Sequence, residues 1–185
     1  MTRPEFAQQI ASRRSTSPKH LLEPGPSADV LEAAAAAAFA APSHFSVFPV
    51  RFVIIESRER LAHLFEAELP ADADAEKHAK AAGKAKKGPM QIAVVIAENP
   101  NDTPRERMER SMTAGAALAN FLNVLHKAGF GGKTVSGRAF RAPDGLYDPE
   151  KETLAAFIIC GTPDEEARCA FAQLRETSKT FFSRW

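Results

Sequence analysis

Cysteine is nearly missing from this chain: Cys160 and Cys169 are the only two in 185 residues. Two cysteines make neither a disulfide framework nor a paired zinc motif, so a reducing, cytoplasmic compartment is the expectation. Excess charge is missing too. Lys and Arg number 24 and Asp and Glu 23, for a net charge of +1. That balance does not suit a nucleic-acid or polyanion binder, and it leaves little repulsion to oppose self-association. No run of about 18 apolar residues occurs, so no membrane span is expected. Arg13-Arg14 is followed by a polar, proline-rich stretch rather than an apolar one, so it is not read as an export signal. The five histidines, His20, His44, His63, His78 and His126, show no metal-ligand spacing. There is no Gly-x-Ser-x-Gly elbow, and Cys160 falls in a predicted buried strand, so neither supplies a nucleophile. Gly129 to Thr134 ends in Gly-Lys-Thr, but only two residues precede that tripeptide after Gly129, where a Walker loop needs four. Its glycines still let a ligand approach the backbone closely.

What is present is an ordinary globular mix, 44% hydrophobic and 25% charged. It is enough for one domain over residues 1–185 that buries roughly 70% of its unfolded surface. Thr2-Arg3-Pro4-Glu5 reads as a capping box opening a helix that ends near residues 12–15. Pro24-Gly25-Pro26 breaks the chain. A second helix runs from Ala28 to Ala41; its alanine run lacks side-chain bulk and is expected to pack backbone-close inside the fold. Residues 51–56 form a β-branched strand, and residues 58–69 a helix with one apolar stripe. Residues 71–87 are either a surface helix or an excursion. Residues 91–98 read as a central strand covered on both faces. Residues 104–128 are the longest helix, apolar nearly all round in its second half and read as a buried spine. A short strand at 131–136, a loop at 141–152, a buried strand at 154–160 and a helical tail complete the reading. Strands and helices mix without strict alternation, so the fold class is α+β.

One cluster suggests a ligand from the residues alone. Arg13, Arg14 and Ser15 directly follow a helix, and two guanidiniums with a hydroxyl suit phosphate oxygens. The plain alternative is a solvated helix end, where cations are favoured anyway.

The motifs gain meaning in order. They run Arg13-Arg14-Ser15-Thr16-Ser17, Glu23-Pro24-Gly25-Pro26, Ala41-Pro42-Ser43-His44, then Pro49 and the strand Phe52-Val53-Ile54-Ile55. Ala114-Gly115-Ala116, Gly129-Phe130-Gly131-Gly132, Ser136-Gly137 and Gly161-Thr162-Pro163 follow. In this order and spacing the chain resembles the nitroreductase family of flavin enzymes over about residues 10–163. The resemblance implies a mixed, mostly antiparallel sheet wrapped by helices in an intertwined homodimer, with FMN at the dimer interface. It implies that Arg13, Arg14 and Ser15 hold the FMN phosphate and ribityl chain. Ser43, His44 and Ser46 match a loop beside the isoalloxazine, often supplied by the partner subunit. Thr134, Val135 and Ser136 line the same flavin, and Lys133 adds a basic contact there. The apolar second half of the long helix matches the central dimer helix. NADH or NADPH is the implied reductant, and no side chain is assigned acid or base chemistry.

The chain also departs from the family pattern. Family members often carry Gln-Pro-Trp where Phe48-Pro49-Val50 stands, and an aromatic and an arginine where Thr134 and Val135 stand. Phe45 and Phe48 are candidate walls for a flat acceptor or, equally, core or interface residues. Three functions are therefore open. They are an NAD(P)H-dependent FMN oxidoreductase acting on nitroaromatics or quinones, a flavin-binding protein with little turnover, and a flavin-free interaction module docking through the Lys77–Lys87 segment. That segment lacks interleaved aromatics, which favours a solvated surface. The tail carrying Phe181, Phe182 and Trp185 is expected to pack on protein, its own chain or the partner, because three exposed aromatics would be a liability.

Overall fold

The computed structural model describes residues 3–170. Thr2 and the aromatic tail at 177–185, for which a cap and a packing role were expected, lie outside the described residues.

Helix α1 (Arg3–Ser12) leads through a 3-10 turn, Pro18–His20, into the two-residue strand β1 (Leu21–Leu22). Helix α2 (Ala28–Phe39) and strand β2 (Val50–Ile54) follow. Next come α3 (Arg58–Ala67), α4 (Ala75–Ala85) and β3 (Met90–Ala97). The long helix α5 (Pro104–Lys127) precedes β4 (Gly131–Ser136), β5 (Glu152–Pro163) and α6 (Glu165–Ala170). Strand β5 organises the sheet, pairing with β3, β4 and β1, while β2 pairs the far side of β3. Every one of these pairings is antiparallel. Among the described residues the one parallel contact is an isolated bridge, Ser15 to Gly132.

The two-residue period of a strand sends alternate side chains to opposite faces. Ile92 and Val94 of β3 join Ala156, Ile158 and Cys160 of β5 on the face covered by α2 and α5. Ala93 and Val95 join Leu154 and Phe157 on the face covered by α3 and α4. The result is a sheet with helices on both sides. On the first face Phe121 of α5, 2% exposed, stacks on Phe52 with ring centroids 4.5 Å apart. Truncating a buried phenylalanine of this kind costs about 3–5 kcal/mol.

Local chemistry explains the boundaries. Thr103 and Glu106 form a reciprocal capping box at the start of α5, with Pro104 in its first turn. The residues at 71–87, open between helix and excursion, form α4, capped by the Asp74 carboxylate accepting from the Lys77 N–H. Gln91 is buried at 1% exposure although its strand otherwise reads as apolar. Its amide donates to the carbonyls of Lys84, Ala85 and Lys87, closing the end of α4. Between Val94 and Val95 the β3–β5 register shifts and leaves Ala155 as the extra residue of a bulge. Gly137 donates its N–H to the Ala155 carbonyl at 2.9 Å. A Cβ at Gly137 would stand 1.9 Å from the Leu154 oxygen, so the position requires glycine.

Three expectations need correction. The alanine-rich α2 is not interior: only Ala34 and Ala38 are buried, and Ala33, Ala36 and Phe39 face outward. Helix α5 is not buried all round. A stripe of Ala114, Ala117, Phe121 and Leu125 enters the core, whereas Met108 and Met112 are exposed and Leu118, Leu122 and Val124 are half-buried. The last strand runs through Gly161-Thr162-Pro163 rather than stopping at Cys160, because β1 pairs with Thr162 and Pro163.

Candidate functional site

Arg13 to Ser15 leave the end of α1 and turn alongside β4. The Thr16 N–H donates to the Gly132 carbonyl at 3.0 Å, which draws Ser15 beside Gly132. The basic N-terminal segment therefore lies against the Gly131-Gly132-Lys133 segment, although the two are over 100 residues apart in sequence. Close approach is possible because Gly131 has no side chain: a Cβ there would meet Thr16 Oγ1 at 2.7 Å. Arg14 folds back so that Nη1 donates to the carbonyls of Ala11 at 2.6 Å and Arg13 at 2.9 Å. Ser12 Oγ lies 3.0 Å from His126 Nε2, tying the end of α1 to the end of α5. Burial pushes the His126 imidazole pKa below its usual range, and the Arg13 and Arg14 charges push the same way.

A cleft of about 190 Å³ is lined by Arg14, Ser15, Thr16, Ser17 and His20, with Glu166 and Ala167 across it. His20 Nδ1 meets Asp164 at 2.8 Å and its Nε2 lies 3.6 Å from Glu166. Thr16 Oγ1 is buried and, among the described residues, has no hydrogen-bond partner. A buried hydroxyl left unsatisfied is unusual enough to need a reason, and an absent ligand is one such reason. The Arg14 guanidinium, with Arg13 preceding it in the chain, and the hydroxyls of Ser15, Thr16 and Ser17 make an anion-binding donor set facing the Glu166 carboxylate across the cleft. The residues present fit a phosphate ester.

Along β4, pairing with β5 fixes which face each residue shares. Thr134 opposes Ile158 and Ser136 opposes Ala156, so both lie on the α5 side. Val135 opposes Phe157 and packs against the α3–α4 core. Lys133 shares that second face. The four neighbours in sequence are thus split between two faces.

Ser43, His44, Phe45 and Ser46 lie elsewhere, on the first half of α5. Thr113 Oγ1 donates to the Pro42 carbonyl at 2.9 Å, and His44 Nε2 lies 3.5 Å from Glu109. The His44 and Phe45 rings stack at 4.4 Å, and the Arg110 guanidinium sits 4.1 Å from the centre of the Phe45 ring. Asp102, bound to Arg110 through Nε and Nη2, holds that guanidinium in place, and its own pKa is lowered chiefly by that hydrogen bond. Glu109 and His126 are 17 positions apart, which is about 25 Å along a helix axis. One chain therefore brings Arg13, Arg14 and Ser15 alongside Gly132, one residue before Lys133, but does not bring Ser43, His44 and Ser46 to them. Phe48 is half-buried, edge-on to Phe39 at 5.0 Å, and packs against the α2–α5 core.

Sequence reasoning missed Thr16, Arg110 and Asp102. Thr16 had a signal, standing inside the basic hydroxyl run. Arg110 and Asp102 had none, since the contact that matters is with a loop more than 50 residues away. Cys160 is buried in β5, and burial pushes its thiol pKa up to about 12, which removes it as a nucleophile.

Comparison with known proteins places the chain in a family. The nitroreductase family profile matches residues 10–169. A protein of Haemophilus influenzae named "Putative NAD(P)H nitroreductase" is 32% identical over 166 residues, covering 85% of this chain and 88% of that one. The nitroreductase-like family protein of Bacillus cereus superposes with a TM-score of 0.74 at 19% identity, over 97% of this chain and 92% of that one. The NADPH:FMN oxidoreductase of Vibrio harveyi, solved with NAD+, gives a TM-score of 0.65 at 17% identity, over 86% of this chain and 69% of that one. The family profile covers the arginine segment, the paired glycines and the whole sheet between them, and this chain belongs to the nitroreductase family.

Proposed function

We propose that this protein is an NAD(P)H-dependent FMN oxidoreductase, working as a homodimer in the cytoplasm on nitroaromatic, quinone or similar flat acceptors. Oxidoreductase chemistry follows from family membership. The observation that carries the FMN reading is the Ser15–Gly132 bridge, which lays the Arg13–Ser15 segment along the paired glycines beside an unsatisfied Thr16 hydroxyl. When bound, FMN would supply hydride transfer from NADH or NADPH to the acceptor, in ping-pong order.

The chain's own residues divide the remaining work. Arg13, Arg14 and Ser15 grip the phosphate. Thr134 and Ser136 face the α5 side of the sheet and offer hydroxyls to the ring system. Lys133, on the other face of β4, would add positive charge that favours a flavin whose negative charge grows on reduction. The Ser43–Ser46 loop reaches the flavin of a second subunit, because in its own subunit it sits at the far end of α5. The exposed apolar residues support that assembly: Phe6 is 60% exposed, Phe39 53%, Val47 74% and Met112 65%. Phe6 and Ile10 share a groove with Ala37, Ala40 and Val124. No helix among the described residues is long and apolar enough to cross a membrane.

A second reading keeps the flavin and drops most turnover. Phe48 turns its ring onto Phe39 and offers no polar contact where family members often carry glutamine. A visible spectrum of the purified protein tests both. Flavin bands that bleach anaerobically with NADH or NADPH support the oxidoreductase. Bands that do not bleach support the second reading, and a colourless protein that takes up no added FMN overturns both.

A further inference from the structure

We propose that Arg110, clamped by Asp102, is a positioning residue that sets the angle of the Phe45 ring and so tunes how tightly a flat acceptor binds. The proposal rests on the reading of the Ser43–Ser46 loop as part of a flavin site. It adds residues that the resemblance does not assign. Arg110 lies on the second turn of α5, and its side chain is only 12% exposed. The Asp102 side chain, just before the helix, is 3% exposed, so the pair is largely out of water. Two contacts to one carboxylate fix the plane of the guanidinium as well as its position. That plane then lies 4.1 Å from the centre of the Phe45 ring, within cation–π distance. The Phe45 ring in turn carries the His44 ring in a stack tilted by 30°.

The rest of this loop is lightly held. Ser43, His44, Ser46 and Val47 are exposed. Around Phe45 the loop is held by the Thr113–Pro42 bond, by a local contact from the Phe45 N–H to Ser43 Oγ at 3.3 Å and by His44 Nε2 at 3.5 Å from Glu109. Glu109 therefore bears on the His44 ring, and the Phe45 ring owes its orientation chiefly to the largely buried Arg110 guanidinium. A carboxylate–guanidinium–phenyl stack also explains why a charged pair is kept beneath an exposed loop, where apolar residues could cover the helix equally well.

The test uses holoenzyme with FMN, a para-quinone as acceptor, and whichever nicotinamide reduces the wild type. Arg110→Gln removes the cation, Arg110→Lys keeps the charge without the planar fork, and Phe45→Leu removes the ring. In Arg110→Gln the acceptor KM should rise about tenfold while kcat changes less than twofold. Arg110→Lys should recover only part of that loss. In the Phe45→Leu background the Arg110→Gln effect on KM should vanish, because the arginine then has no ring to orient. Hydrogen exchange of the amides at 43–48 in the protein without flavin gives a second readout, and it should quicken in Arg110→Gln and in Asp102→Asn. Equal KM effects with and without Phe45, or unchanged loop exchange, would overturn the proposal. A wild type that binds no flavin would instead sink the functional reading, and the exchange measurement would still decide whether Arg110 orders the loop.

Discussion

Arg14→Ala separates a phosphate clamp from a helix end, because the structure places this side chain where it serves both. Its Nη1 donates to the Ala11 and Arg13 carbonyls at 2.6 and 2.9 Å. A cation on the last carbonyls of α1 is favourable by about 0.3–1 kcal/mol. Turning toward a phosphate gives up some of that, against a charge-assisted contact of about 1.5–3 kcal/mol. The difference is roughly 1–2 kcal/mol, so Arg14→Ala should weaken FMN binding about five- to thirtyfold. Riboflavin lacks the phosphate. It should bind the wild type more weakly than FMN and lose little further in the variant. Fluorescence titration of the apoprotein with both flavins gives the two affinities, and a melting curve gives the cost to α1. A variant whose melting point falls while its FMN-to-riboflavin ratio stays at the wild-type value would leave Arg14 as a helix end only. Equal affinity of the wild type for both flavins would remove the phosphate site itself.

Other consequences follow from single contacts. Gly137→Ala should cost on the order of 2 kcal/mol of stability or more, read as a lower urea midpoint, because the new Cβ would lie 1.9 Å from the Leu154 carbonyl oxygen; an unchanged midpoint would mean the bulge yields freely. Gln91→Leu removes three donations to the end of α4 and should cost about 2–3 kcal/mol, seen as faster exchange of the α4 amides. His126 has a lowered folded pKa, so the unfolded chain binds the proton first and stability should decline as pH falls below its ordinary value of 6.5; His126→Asn should flatten that part of the profile in a denaturation series from pH 8 to 5. Met112→Glu places a charge on the exposed face of α5 and should shift sedimentation toward the 20.1 kDa monomer with loss of bound flavin, and an unaffected dimer would move the interface off α5.

What the sequence discloses depends on how local the cause is. Helix α5 is legible from Thr103-Pro104 and Glu106 because a capping box is completed within four residues. Strand β3 is legible as a nearly continuous apolar run because it is covered on both faces. Strand β1 is not legible: Leu21-Leu22 is a strand only through its pairing with Thr162 and Pro163. The same rule divides the site. Arg13, Arg14 and Ser15 suggest a phosphate site in the sequence because three donors sit together. Nothing near them points to Gly132, which stands beside Ser15 only through a contact across more than 100 residues.

Helix α5 shows where a pattern argument overreaches. Its second half carries apolar residues around most of its circumference, and within one chain a single stripe satisfies only part of them. A pattern records every surface that ends up covered, by this chain or by another, and does not separate the two. Subtracting the stripe that the fold covers leaves Leu118, Leu122 and Val124 half-buried and, earlier on the helix, Met108 and Met112 exposed, Met112 beside Ser43 and His44. In the homodimer proposed above, a second copy of the chain laid across this face would cover these residues and would also use the loop that stands away from Arg13 and Arg14.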